Sequence, residues 1–317
     1  MNQQSSTFHS KILLFGEYSI IQDSMGLTVP YDIFKGRLCF EPLEGVDETF
    51  IQKSNENIRN FLTYLRKMIA DGKLNIRLKD AELEADIAKG LYFHSNIPQG
   101  FGIGSSGALV AAVYDKYVED KVKLEDTIPT SETIQQLKEV LGQMESFFHG
   151  KSSGVDPLIC YLNLPLLIKG KEEIEPVRIA MKKDGQGAIF LIDTGIARKT
   201  EPLVKYYMEQ LEKPTYREFV DKQLKPFANN CIQAFLEGDT ETLFGYLKKL
   251  SHVQFRYFKP MIPTLFSKPW KKGLESGDYY LKLCGAGGGG YILGFTRDMD
   301  KTRKQLKDHK LEVLSYI

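Results

Sequence analysis

Two acids eleven positions apart carry the first chemical signal in this chain. Residues 145–156 read ESFFHGKSSGVD. Glu145 falls at the edge of an apolar helical stripe shared with Ile134 and Leu141, and a carboxylate bordering a buried face needs a partner, for which a cation is natural. Asp156 lies beyond the helix in a Ser/Gly-rich turn. One reading gives Glu145 to a magnesium ion and Asp156 to a nucleophile. The other makes Glu145 a surface ion pair and Asp156 a turn residue or helix cap, and on the segment alone this second reading prevails, since Asp and Gly are common in turns. His149 sits between the acids without any G-x-S-x-G nucleophile pattern nearby, so it is assigned a positioning role.

Three further segments bear on the same chemistry. Residues 98–109 read PQGFGIGSSGAL, with Gly100, Gly102, Gly104 and Gly107 around Ser105 and Ser106. Glycine lets backbone N–H groups approach a polyphosphate, and a helix start behind the loop adds free donors and a positive dipole end. The loop has neither the Walker A nor the Rossmann pattern, and a flexible turn that merely opens a helix remains an equal reading. Residues 282–291 read KLCGAGGGGY. Four successive glycines are entropically costly and suit a place where backbone passes against another loop or a ligand. The flanking runs YYLKL and YILGF argue against a linker. Residues 11–18 read KILLFGEY, an apolar strand opened by Lys11 and closed by Glu17 and Tyr18.

Such groups need a scaffold, and the pattern is mixed. Extended stretches are expected over 11–22 and 27–42, a helix over 55–70, and extended or irregular segments over 74–97. Helices follow over 105–118 and 132–148, the latter capped by Ser131. Strands are expected at 158–168 and 187–194. Helices with breaks near Pro214 and Gly238 fill 200–257. The tail reads strand (279–284), glycine loop, strand (291–296), helix (298–307) and strand (311–316). This is an α+β arrangement in two lobes, residues 1–170 and 171–317, divided in the charged segment 169–176.

Lys plus Arg number 42 against 41 Asp plus Glu, so no broad polyanion-binding surface and no nucleic-acid partner is expected. The four cysteines form no C-x-x-C pair, which speaks against a zinc site or a disulfide framework. No apolar run approaches the roughly 18–20 residues that span a membrane, and the polar start MNQQSSTFHS does not read as a secretory signal. A cytoplasmic protein without a membrane partner is the expectation.

In this order the four segments resemble the GHMP family of small-molecule kinases. The P-x3-G-[LI]-G-S-S loop matches Pro98, Gly102, Ile103, Gly104, Ser105 and Ser106, and the late glycine motif matches Gly285 to Gly290. Within the family the chain is most similar to the mevalonate kinase branch, through KILLFGEY and ESFFHGKSSGVD. The resemblance implies an N-terminal lobe like ribosomal protein S5 domain 2 and a ferredoxin-like C-terminal lobe. It implies ATP and Mg²⁺ as cofactors, a loop of Pro98, Gly100, Gly102, Ile103, Gly104, Ser105, Ser106 and Gly107 around the phosphates, and Ser106 and Glu145 on the metal. Asp156 would take the acceptor's proton and Lys11 would stabilise the transferring group. Glu17, Tyr18, His149, Thr200, Gly285, Ala286 and Gly287 would face a small hydroxyl-bearing acceptor, with RKTEPLV (198–204) supplying Thr200. A homodimer is left open.

Three departures stand out: Tyr18 replaces the family's histidine, Gly107 an alanine, and Leu109 a frequent tyrosine. The favoured acceptor is mevalonate. A phosphorylated mevalonate, a sugar or a related alcohol, a decarboxylase of the same fold, and a nucleotide-binding sensor are the alternatives. Arg198, Lys199 and Lys205 near the acceptor segment keep a phosphorylated acceptor in play.

Overall fold

The computed structural model describes residues 6–122, 129–170, 173–179 and 182–317. Residues 171 and 172 of the charged boundary segment lie outside them. The apolar run at the start forms β1 (Phe8–Phe15), and a short 3₁₀ turn returns the chain into β2 (Gly26–Cys39), paired antiparallel. Helices α1 (Glu48–Ala70) and α2 (Asp80–Ala88) precede β3 (Tyr92–Ser95). Then come α3 (Ser105–Tyr117), α4 (Ser131–His149), α5 (Val155–Leu162), β4 (Leu166–Ile168) and β5 (Ile174–Pro176). The fourteen-residue β2 pairs along most of its length with β1, at its far end with β3 and at its near end with β4, giving a five-stranded sheet.

The second lobe opens with β6 (Ala188–Asp193). A helical stretch follows: α6 (Thr200–Leu211), α7 (Pro214–Phe219), α8 (Lys225–Glu237), α9 (Thr240–Tyr257) and α10 (Ser267–Ser276). The chain ends with β7 (Tyr279–Leu283), β8 (Tyr291–Thr296), α11 (Met299–Gln305) and β9 (Leu311–Tyr316). The sheet order β7-β8-β6-β9 is antiparallel throughout, which is the split β-α-β order of a ferredoxin-like lobe.

The structure departs from the sequence expectations at several places, each for a local reason. The stretch expected to be extended over 11–22 leaves the strand after Phe15, where Gly16 takes φ +111, and Ser19–Gln22 form the 3₁₀ turn. α1 begins seven residues earlier than residue 55, because the Asp47 side chain accepts from the Thr49 N–H at 3.0 Å and caps it. The segment 80–88 is helix, not extended: Leu83, Asp86 and Ile87 bury one face, and Asp86 accepts from Lys116 and Tyr117, each at 2.9 Å. Thr130 rather than Ser131 caps α4, accepting from the Thr133 N–H at 3.2 Å. The run 158–162 is helix, not strand. It is buried on all sides, so periodicity carries no information there. In addition, β5 continues the first sheet to Pro176, so a division at 170 would cut that sheet.

Candidate active site

Three helix ends converge beside β1. Lys11 lies inside β1, its N–H donating to the Ile103 carbonyl at 2.9 Å, which ties the strand to the glycine loop. Its ammonium is 2.9 Å from Asp156 Oδ1. Asp156 stands in the first turn of α5, where unpaired N–H groups and the dipole favour an anion. Lys11 is buried, and burial alone would lower its pKa. The Asp156 charge and hydrogen bond outweigh that, so the pKa stands above its ordinary value and the ammonium stays charged.

The departure Gly107 has a steric cause. A Cβ there would sit 2.9 Å from the Asp156 carbonyl carbon and the Pro157 nitrogen, so α3 and α5 reach this close approach only with glycine. Gly154, the residue before α5, has φ +77, and a Cβ would overlap the Lys138 carbonyl oxygen of α4. These two contacts fix Asp156 against both α3 and α4.

Ser106, in the first turn of α3, donates to Glu145 Oε1 at 2.9 Å and lies 3.0 Å from His149 Nε2. Glu145 is buried on α4. Its other oxygen accepts from Ser152 Oγ at 2.5 Å, and Ser152 Oγ in turn accepts from the Gly154 N–H at 3.0 Å. Ser152 was not among the expected site residues. Its only sequence signal was membership of the KSSG turn. Burial, and then repulsion from Asp156, push the Glu145 carboxyl up to about 7, against the opposing hydrogen bonds of Ser152 and Ser106.

A hard cation fits here. Two oxygen donors of the right chemistry face each other, and among the described residues the buried carboxylate shares with Asp156 a nearby cation, Lys11, which pairs with Asp156. Among the described residues no cluster of three or more His, Cys, Asp or Glu could hold a metal, so the remaining ligands would be water and phosphate oxygens, as magnesium prefers. Proton and cation compete for Glu145. Stabilisation of the protein by Mg²⁺ in thermal melts should therefore be larger at pH 8 than at pH 6, and equal shifts at both would exclude Glu145 as a ligand. Without the cation this group acts the other way. The unfolded carboxyl releases its proton near pH 4 and the folded one near 7, so its contribution to stability declines across that interval.

The two glycine loops meet. Gly100, Gly102 and Gly104 have φ of +78, +71 and +87, and Ile103 is buried while Pro98 and Ser105 are partly open. In the late loop, a Cβ at Gly290 would stand 2.6 Å from the Phe101 carbonyl oxygen. Arg198 is wedged between the loops. Its backbone N–H donates to Gly100 O at 3.0 Å, and its Nη1 donates to Cys284 O and Gly287 O at 3.0 and 3.1 Å. A Cβ at Gly102 would overlap its guanidinium. Its Nε is buried with no hydrogen-bond partner among the described residues, and burial pushes its pKa down. In the sequence Arg198 is legible as the first residue of RKTEPLV and as one of several cations near the acceptor segment, not as the group between the two loops.

The remaining expected residues divide. Glu17 and Lys282 form an ion pair at 2.5 Å with both side chains about 1% exposed. The Tyr18 hydroxyl donates to Ala286 O at 2.6 Å. Gly285 lies against Arg198, and Gly287 against Met261. Thr200 is exposed at the start of α6, two residues past Arg198. Leu109 is buried in α3. No helix among the described residues is long and apolar enough to cross a membrane.

Residues 63–163 match the family described as the GHMP kinases N terminal domain. Likeness to solved structures extends the fold over nearly the whole chain. The L. major mevalonate kinase in complex with R-mevalonate matches with a TM-score of 0.62 at 17% identity, over 97% of this chain and 92% of that one. The Streptococcus pneumoniae phosphomevalonate kinase in complex with phosphomevalonate and AMPPNP matches at 0.63 and 14% identity, over 98% and 100%. The Lactococcus lactis galactokinase complexed with galactose matches at 0.64 and 12% identity, over 99% and 94%. No curated protein matches by sequence. Residues 63–163 are thus similar to the GHMP kinase N-terminal domain, and the two-lobed fold of nearly the whole chain is similar to that of these solved kinases.

Proposed function

We propose that the chain transfers the γ-phosphoryl group of ATP to the hydroxyl of mevalonate, giving 5-phosphomevalonate, as a cytoplasmic enzyme of isoprenoid precursor synthesis. The observation that carries the reading is the pair of buried Lys11 with partly exposed Asp156, standing beside the Ser106–Glu145 pair at the N-termini of α3 and α5. Residues 98–107 hold the phosphates, with the first-turn N–H groups of α3 donating to their oxygens. Ser106 and Glu145 would hold Mg²⁺, which supplies charge neutralisation on the phosphates when bound. Asp156 accepts the proton of the acceptor hydroxyl, and Lys11 offsets charge at the transferring group. A cavity of about 350 Å³ lined by Thr7, Lys35, Arg37, His94 and Asn96, next to the start of the loop, is offered to the nucleotide's base.

The acceptor lies along the late loop. Arg198 keeps a buried N–H without a partner there, which favours an acceptor bearing a carboxylate or phosphate over a neutral sugar. That observation supports mevalonate and, as the second reading, a phosphorylated mevalonate. Coupled ADP release measured with mevalonate, 5-phosphomevalonate, galactose and homoserine tests it. The highest kcat/KM is expected with mevalonate, and turnover with galactose alone would overturn the assignment. Carbon dioxide evolved with ADP would instead mark a decarboxylase. Glu145→Gln should raise the Mg²⁺ concentration for half-maximal turnover by about 10-fold or more, and an unchanged Mg²⁺ titration would remove Glu145 from the metal site.

A further inference from the structure

Glu17 and Tyr18 follow β1 directly, yet their side chains leave the first lobe. Gly16 makes the turn: its φ is +111, and a Cβ would stand 2.8 Å from the Gly26 Cα, so β1 and β2 close tightly there. Beyond it, Glu17 reaches the Lys282 ammonium at the end of β7, and Lys282 also donates to the Leu283 carbonyl at 2.8 Å. Buried Gln254 of α9 accepts from the Leu283 N–H at 2.8 Å. Tyr18 reaches past Lys282 to the middle of the glycine loop, donating to Ala286 O. Its ring lies 4.8 Å from that of Tyr207 and 5.1 Å from that of Phe258. Its backbone has φ +63, a left-handed conformation that a bulky residue keeps only when its surroundings over-determine it.

We infer that Glu17 and Tyr18 are positioning residues: a two-point clamp fastens the start and the middle of the 282–287 segment of the second lobe to the end of β1. Neither side chain is free to contact an acceptor. The Glu17 carboxylate is enclosed with its ammonium, and the Tyr18 hydroxyl has given its single proton to Ala286 O. Where the resembled branch places a histidine, this chain uses the position to hold a loop. The loop's carbonyls at 284 and 287 are the ones Arg198 grips, so the clamp also sets Arg198 against the loop 98–107. The acceptor side of this inference rests on the phosphoryl-transfer reading above. The clamp itself does not.

The test is Tyr18→Phe, which keeps the ring in its aromatic cluster and removes only the hydroxyl. Hydrogen exchange of the intact chain is followed by mass spectrometry, with nucleotide affinity and steady-state kinetics in parallel. The amides of 284–290 are expected to exchange about 10-fold faster than in the parent, with 98–107 unchanged and ATP affinity within about 2-fold. Turnover of mevalonate should lose about 10-fold or more in kcat/KM, because a misplaced loop mispositions the acceptor while leaving ATP in place. Lys282→Met should loosen the same loop from its other end. Parent-like exchange at 284–290 in Tyr18→Phe overturns the clamp, as does acceleration spread evenly over the second lobe. The exchange result decides the clamp even if no acceptor is turned over, in which case the kinase reading fails and the clamp stands or falls alone.

Discussion

Asp156→Asn and Lys11→Met should each lower kcat by at least ~10²-fold while ATP still binds. The expectation follows from the geometry of one pair. Asp156 is the carboxylate at the start of α5, and Lys11 approaches it to 2.9 Å from a strand that the glycine loop fastens through Ile103. An amide cannot take the acceptor's proton, and a thioether leaves the developing charge without its cation. General-base removal is typically worth ~10²–10⁴-fold. The nucleotide contacts assigned to 98–107, Ser106 and Glu145 are untouched in both variants, so affinity for ATP, read by calorimetry, is expected to hold within a few-fold. The two losses should also be far from additive, since the residues act as one unit. Near-parent turnover in either variant would remove the pair from the chemistry.

The second large effect is on stability. Glu17→Gln or Lys282→Met should each destabilise the chain by ~3–5 kcal/mol, the usual cost of stranding one member of a buried ion pair. Both partners are about 1% exposed, so water cannot replace the lost one. Burial already raises the Glu17 pKa above its ordinary value, against the charge and hydrogen bond of Lys282. In Lys282→Met the stranded group is a carboxyl that folding keeps protonated, so that deficit grows as pH rises above the unfolded value near 4. Replacing both by apolar residues of similar size, Glu17→Leu with Lys282→Met, should recover most of the loss. Chemical denaturation at pH 5.5 and 8 measures all three, and a Lys282→Met deficit that is small or the same at both pH values would show that the pair is not what holds this contact.

Those two results probe different layers of legibility. Lys11, Ser106, Glu145 and Asp156 were visible as residue types at set spacings, and the structure brings all four together with His149. Gly107 was visible as a loop glycine but not for its packing role, which is the approach of α3 to the Asp156–Pro157 backbone, and Ser152, which buttresses Glu145 from a turn, was visible only as a letter. The tail from β7 to β9 was legible because short apolar strands alternate with a glycine run and one polar helix. The α2 and α5 segments were not. A nine-residue helix with three inward residues and an all-apolar helix of eight give no clear period, and their type is set by what packs around them.

By itself the sequence determined the glycine-rich loop, the acid pair and the two-lobed α+β order, because each of these rests on local chemistry: backbone without Cβ atoms, side-chain charge and hydrophobic period. Only the tertiary structure decided which way Glu17 and Tyr18 face and what Arg198 holds. Those depend on contacts between residues more than 80 positions apart, and no local propensity encodes the partner across such a separation.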